Sequence, residues 1–263
     1  MFAVVLVLLP PSESKATPPR RGRPVDPQSL SFPQLTPMRM KVLEGLAIVS
    51  AVPDALARLG VGASLAAEVA RNTRLLEVPA MPVSAVYTGV LYDALDWPAL
   101  DAAARRRGND RVVVISALWG ALRPRDRVPP YRLSMGTDLP GVGPLAAAWR
   151  QVIGPDLVAA AGRRGLIVDC RSTTYAAAWS PSGALAARTV AVRVLRDGPA
   201  GRSVVSHMAK HTRGEVTRHL LTTGADPRDP PELAECLAER WDVELVAPPR
   251  PGRPWGLDLV LPG

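Results

Sequence analysis

Three short runs limit how this chain can fold. Residues 3–9, 111–116 and 165–169 are dominated by Val, Leu, Ile and Ala. Each is too short for a buried helix, and a continuous apolar run of this length reads as a strand covered on both faces. Each is followed at once by polar residues: Pro10-Pro11-Ser12-Glu13-Ser14-Lys15, then Ser116 onward, then Asp169-Cys170-Arg171-Ser172. The end of a buried strand is held by the sheet while its side chains reach a crevice, so three such ends are expected to converge.

Helical stretches separate the runs. Val42, Leu43, Leu46 and Val49 recur at helical spacing within a helix from about Pro37 to Ser50. Around Gly60-Val61-Gly62, two amphipathic helices are expected to flank a tight turn, in the manner of a helix-hairpin-helix, whose amides can face a phosphate. Residues 16–33 are rich in Pro, Arg and Ser and read as a long mobile loop. Asp101 to Arg107 is read as continuing a helix after Leu91–Leu95, and Leu145 to Ile153 as a further helix. Thr189 to Leu195 reads as a strand followed by a turn at Asp197-Gly198-Pro199. Gly214 to Leu221 and Glu232 to Arg240 read as helices, Trp241 to Leu245 as a strand, and the end as Pro- and Gly-rich. Strands and helices interleave without a linker. The expectation is one α/β or α+β mixed-sheet domain over 1–263, with a helical insertion at 37–76.

Charge narrows the partners. The net charge of +8 favours a polyanion or a phosphate-bearing ligand. Of 32 basic residues only Lys15, Lys41 and Lys210 are lysines. In a chain this rich in Ala, Arg, Gly and Pro, a lysine that need only be positive should have drifted to arginine. Lysine offers a compact ammonium that can lose its proton when buried. Two cysteines, Cys170 and Cys236, provide neither metal spacing nor a disulfide framework, which fits a reducing cytoplasm. The apolar start lacks a basic lead and is far short of a membrane span. The three histidines lack a supporting carboxylate cluster, so no metal is expected.

The candidate chemistry lies in four segments. In the first, Ser12 and Lys15 can hold an anion and Glu13 can act as acid or base. The second, Ser116 to Thr137, carries Arg123, Tyr131, Arg132 and Ser134 along a path stiffened by Pro124, Pro129 and Pro130. The third contributes Asp169 and Arg171, and the fourth, Ser206 to Gly214, contributes Lys210 and Arg213. Arginine forks suit phosphates and carboxylates. The plain alternatives are solvated loops, capping side chains and arginines paired with nearby aspartates.

Four motifs together resemble the YaaA family of bacterial peroxide-stress proteins. They are Leu8-Leu9-Pro10-Pro11-Ser12-Glu13-Ser14-Lys15, Tyr87-Thr88-Gly89-Val90-Leu91-Tyr92, Ser116-Ala117-Leu118-Trp119-Gly120-Ala121-Leu122-Arg123-Pro124 with Pro130-Tyr131-Arg132-Leu133-Ser134-Met135-Gly136, and Ala209-Lys210-His211-Thr212-Arg213-Gly214. Ser14 stands where the family usually has glycine. The resemblance implies a cytoplasmic protein of the oxidative-stress response, a lowering of free iron, protection of DNA, and DNA binding through a basic cleft and a helix-hairpin-helix on an uncommon mixed fold. It carries over no settled catalytic residues.

Two functions follow as expectations. In the first, a monomer without a cofactor binds duplex DNA with little sequence preference, through Ser12, Lys15, Gly60, Gly62, Arg123, Arg132, Ser134, Arg171, Lys210 and Arg213. In the alternative, an enzyme acts on a small phosphorylated or nucleotide-like anion, with Lys15, Glu13, Lys210, Asp169 and Tyr131 as the chemical groups. A wide basic groove favours the first and a closed pocket holding Lys15, Arg132 and Lys210 favours the second.

Overall fold

The computed structural model describes residues 5–198, 201–204 and 206–262. Residues 3 and 4 of the expected first strand and Pro199 of the expected turn lie outside them. The main sheet is built on β1 (Leu6–Leu9), β2 (Val112–Ser116), β3 (Gly120–Leu122), β4 (Ile167–Asp169), β5 (Thr189–Arg196), β6 (Asp242–Val246) and β7 (Trp255–Leu261), in the order β6-β7-β5-β4-β1-β2-β3. The five central strands are parallel, and an antiparallel strand closes each edge. A two-residue strand, Ser203–Val204, pairs with the end of β5. The three apolar runs of the sequence are β1, β2 and β4, side by side at the centre and buried throughout.

The chain leaves β1 for β2 on one side, then crosses to β4 on the other. The direction of winding therefore reverses at β1, and reversal opens a crevice beyond the carboxyl ends of the strands. Register carries Asp169 beside Leu8 and Leu9 beside Val114, so the polar segments after β1, β2 and β4 emerge together.

Helices cover the sheet: α1 (Thr36–Ala51), α2 (Ala55–Arg58), α3 (Ala66–Arg71), α4 (Val90–Leu95), α5 (Ala102–Arg111), α6 (Leu145–Val152), α7 (Gly154–Ala161), α8 (Ser206–Thr223) and α9 (Pro230–Ala238). Among the described residues none is long and apolar enough to cross a membrane. In the insertion, fully buried Arg39 on α1 donates to the carbonyls of Trp119 at 2.9 Å, Ser31 at 2.7 Å and Ala121 at 3.0 Å. It pins the insertion to the β2–β3 hairpin. The Gly60–Gly62 turn joins a four-residue α2 to a six-residue α3 through a 3₁₀ turn at Ala63–Leu65, shorter elements than expected.

Four local expectations need correction. Residues 16–33 are irregular but anchored: Val25 and Leu30 are buried, and Ala80 donates to the Arg23 carbonyl at 2.9 Å. The helix at Leu91–Leu95 does not run on to Arg107, because Asp96 turns left-handed at φ 46° and Asp101 caps a new helix. The Lys210 segment and the helix after Gly214 are one helix, α8. The Pro/Gly-rich end holds β7, which enters the sheet between β5 and β6.

Candidate functional site

A cleft of about 540 Å³ opens at the crevice beyond β1 and β4. Pro10 to Glu13 form one side of it and Asp169 to Thr173 the floor, while α4, β5 and α8 supply the remaining walls. Of the residues singled out in the sequence, Ser12, Glu13, Asp169, Arg171, Lys210 and Arg213 line this one space. Leu91, Tyr92, Tyr175 and Ala176 give it apolar walls, and Ser172 and Thr173 add hydroxyls.

Its charges are unequally committed. Arg171 grips Asp169 with both arms, Nε to Oδ1 at 2.8 Å and Nη2 to Oδ2 at 2.7 Å, and also donates to the Trp179 carbonyl at 2.8 Å. Both residues are buried, and the Arg171 amide closes on Asp169 Oδ1 at 3.0 Å. The pair braces the floor, and the Arg171 fork is occupied by internal acceptors. Arg193 is likewise paired with Asp258. Lys210 and Arg213, three residues apart on α8, have no carboxylate partner among the described residues. Arg213 is fixed by the Val192 carbonyl at 2.9 Å, and Lys210 is exposed. Glycine at 214 permits this placement, because a Cβ there would lie 2.1 Å from the Leu91 carbonyl oxygen on α4.

Lys15 sits just behind the Ser12–Glu13 rim. Its Nζ donates to the Ser12 carbonyl at 2.9 Å and the Glu13 carbonyl at 3.4 Å, and lies 4.4 Å from the centre of the Tyr131 ring. A single antiparallel bridge between Lys15 and Tyr87, with Ala16 N to Val86 O at 2.9 Å, holds the segment. Burial of the ammonium, followed by the nearby Arg132 guanidinium, lowers its pKa from 10.5 to about 7; Glu13 and Glu68 oppose the shift. No carboxylate reaches it within ion-pair distance among the described residues.

Two tyrosine rings lie against this amine, Tyr131 at 4.4 Å and Tyr87 at 5.8 Å from ring centre to Nζ. The chain has four tyrosines, and all four gather here. The Tyr131 hydroxyl bonds Ser116 Oγ at 2.7 Å and the Tyr87 hydroxyl at 3.1 Å. Ser116 Oγ in turn accepts from the amides of Leu118 and Trp119, which fixes its orientation. The Tyr92 hydroxyl donates to the Pro10 carbonyl at 2.7 Å. Burial pushes the Tyr87 pKa up to about 12 and raises those of Tyr92, Tyr131 and Tyr175 well above the ordinary phenol value, so all four remain neutral. Ser134 and the Met135 backbone are polar neighbours of Tyr175.

Arg132 links the insertion to the site. Its side chain is held by Glu68 of α3, with Nε to Oε2 at 3.0 Å, and reaches Glu13 at 3.4 Å. Buried Asn72 grips its backbone from both sides, at 2.9 Å on the amide and 2.8 Å on the carbonyl. Arg123 lies elsewhere: it donates to the carbonyls of Asp110 and Val112, at the opposite end of β2. Gly60 and Gly62 sit on an exposed turn where an added Cβ would meet nothing within 4 Å.

Tyr87 and Tyr92 bound one of the four motifs but were not among the candidate site residues, and Glu68 and Asn72 were not singled out. Tyrosine, with four residues, is nearly as rare in this chain as lysine, with three, and that rarity was an available signal. Nothing local marks Asn72, whose partner is 60 residues away.

Comparison with known proteins places these motifs in a wider group. The family described as "Peroxide stress protein YaaA" matches residues 5–244. A UPF0246 protein of Streptomyces coelicolor is 51% identical over 260 residues, 98% of each chain. One from Corynebacterium efficiens is 42% identical over 235 residues, covering 88% of this chain and 91% of its own. One from Cereibacter sphaeroides is 32% identical over 197 residues, 73% of each.

Proposed function

Since the chain belongs to the peroxide stress protein YaaA family, we propose that its part in that response is played at the strand-end cleft, by binding a small anion that carries a planar or apolar portion. The carrying observation is the pair of cations on α8, Lys210 and Arg213, which face the cleft without carboxylate partners while the other arginines there are neutralised. A phosphate or carboxylate would supply the missing negative charge, with the Ser172 and Thr173 hydroxyls beside it. Tyr92, Tyr175 and Leu91 suit the apolar portion, and the volume fits a ligand the size of a nucleotide. The reading extends to a cytoplasmic monomer, in keeping with the two unpaired cysteines.

The test is to screen for thermal stabilisation with nucleoside mono- and diphosphates and sugar phosphates, beside mass spectrometry of ligand released from the purified protein. A bound anion should raise the melting temperature of wild type by several degrees and that of Lys210→Met by much less. Equal shifts in the two would remove the reading.

Duplex DNA is the second reading, supported by the net charge of +8 and by the open Gly60–Gly62 turn with exposed Arg58 and Arg74 on the same insertion. Against it, several arginines are tied to backbone carbonyls: Arg107, Arg111, Arg127 and Arg218 donate to those of Leu221, Ala225, Ala80 and Leu95. An anisotropy titration against salt tests it. Phosphate-driven binding must weaken steeply, and a flat response would dismiss it.

A further inference from the structure

We propose that Lys15 is a nucleophile that forms an imine with the carbonyl carbon of an anionic aldehyde or ketone held in the cleft. The inference deepens the small-anion reading and rests on it for the anionic part of the ligand.

The geometry separates Lys15 from an ordinary ion-pairing lysine. Its amine meets two neutral carbonyls, at 2.9 and 3.4 Å, and the face of Tyr131. The two carbonyls belong to Ser12 and Glu13, which line the cleft, so the amine sits behind that rim, and a turn of the Lys15 side chain away from them is what would bring it to a carbonyl in the cleft. The charged and titratable groups around it are Arg132, Glu13 and Glu68, with neutral Tyr131 and Tyr87 from the packed segments. The two carboxylates are themselves drawn to Arg132. Desolvation and a neighbouring cation are the two conditions that make a lysine amine available as a nucleophile near neutral pH. With a pKa of about 7, about half of the amine is unprotonated at pH 7.

The step balances without an oxidant. The amine lone pair attacks the carbonyl carbon, and the C=O π pair moves to oxygen, which takes a proton to give a carbinolamine. Nitrogen loses a proton, its lone pair forms the C=N bond, and the hydroxyl leaves as water. The Tyr131 ring lies under the amine, and its hydroxyl, bonded to those of Ser116 and Tyr87, is the group proposed to relay the proton. Lys15→Arg cannot perform the step at all, which accounts for lysine persisting here in a chain that uses arginine almost everywhere else.

The scarcity of lysine makes the test clean. The full-length protein is treated with glyoxylate and cyanoborohydride from pH 6 to 9, and the Lys15, Lys41 and Lys210 peptides are followed by mass spectrometry. Reductive labelling of Lys15 should be at least tenfold faster than that of the other two at pH 7, with a midpoint near neutrality. Tyr131→Phe should slow it several-fold without moving the midpoint. Labelling of Lys15 no faster than that of exposed Lys41 and Lys210 overturns the proposal. A parallel arm with neutral propionaldehyde separates the two ideas. Preference for glyoxylate that disappears in Lys210→Met supports both. Fast labelling of Lys15 by both aldehydes alike keeps the nucleophile and sinks the anionic cleft.

Discussion

Lys15→Met should change the pH dependence of folding in a calculable way. Methionine keeps an unbranched side chain one atom shorter and removes the charge. In the wild type the folded-state pKa is about 7 against an ordinary value of 10.5, so the shift is downward. Below pH 7 the amine is protonated in both states, and folding must enclose an ammonium. Between pH 7 and 10.5 the unfolded chain binds the proton and the native one does not, so wild-type stability rises with pH; above that window the dependence ends. Integrated from pH 6 to pH 9, the gain is roughly 2 to 3 kcal/mol. The methionine variant lacks this term, while every other titrating group contributes alike to both proteins. Urea unfolding of both at pH 6, 7.5 and 9 gives the difference directly. The variant's advantage at pH 6 should shrink by that amount by pH 9. A difference constant to within about 0.5 kcal/mol, close to the error of the extrapolation, would refute the enclosure of the amine.

Gly214→Ala places a Cβ against the Leu91 carbonyl and should destabilise by about 1–3 kcal/mol or more in a thermal melt; an unchanged melting temperature would show that α4 and α8 are not in tight contact. Asp169→Asn strands the buried Arg171 charge and should cost roughly 3–5 kcal/mol, part of which returns in the double variant with Arg171→Met. If the single variant melts like wild type, the brace is not structural. Gly60 has φ 64°, so Gly60→Val should cost about 1–2 kcal/mol of stability, whereas Gly62→Val, at φ −79° in open space, should fold normally. If the turn amides meet duplex phosphates, both variants lose DNA affinity; normal binding by Gly62→Val would remove the turn from the DNA reading.

The central sheet was legible because burial on both faces leaves a continuous apolar run, and β1, β2 and β4 each have one. Strand β7 was not: the Pro-rich run from Pro248 to Pro254 just before it masked a short apolar segment, Trp255–Leu261. What converges at the crevice could be anticipated from the polar residues after each strand. Which arginines are free could not. Arg39, Arg123 and Arg213 carry the same charge and all donate to backbone carbonyls, yet only Arg213 lines the cleft, a placement that the folded chain alone supplies. The tyrosine enclosure was hidden for the same reason, since Tyr87 and Tyr131 meet across 44 residues.

The contact at Gly214 also has a mechanical consequence. With the α8 backbone resting on the Leu91 carbonyl, α4 and α8 cannot slide past one another without a clash, so Tyr92 and Lys210 ride on one block. That block is the fixed jaw of the cleft. The opposite jaw is the Pro10–Lys15 turn, held by the bridge to Tyr87 at its far end, by Arg132 through Glu13 and by the Tyr92 hydroxyl at its near end. The cleft is thus bounded by two helices locked to each other on one side and, on the other, by a turn whose last residue is Lys15.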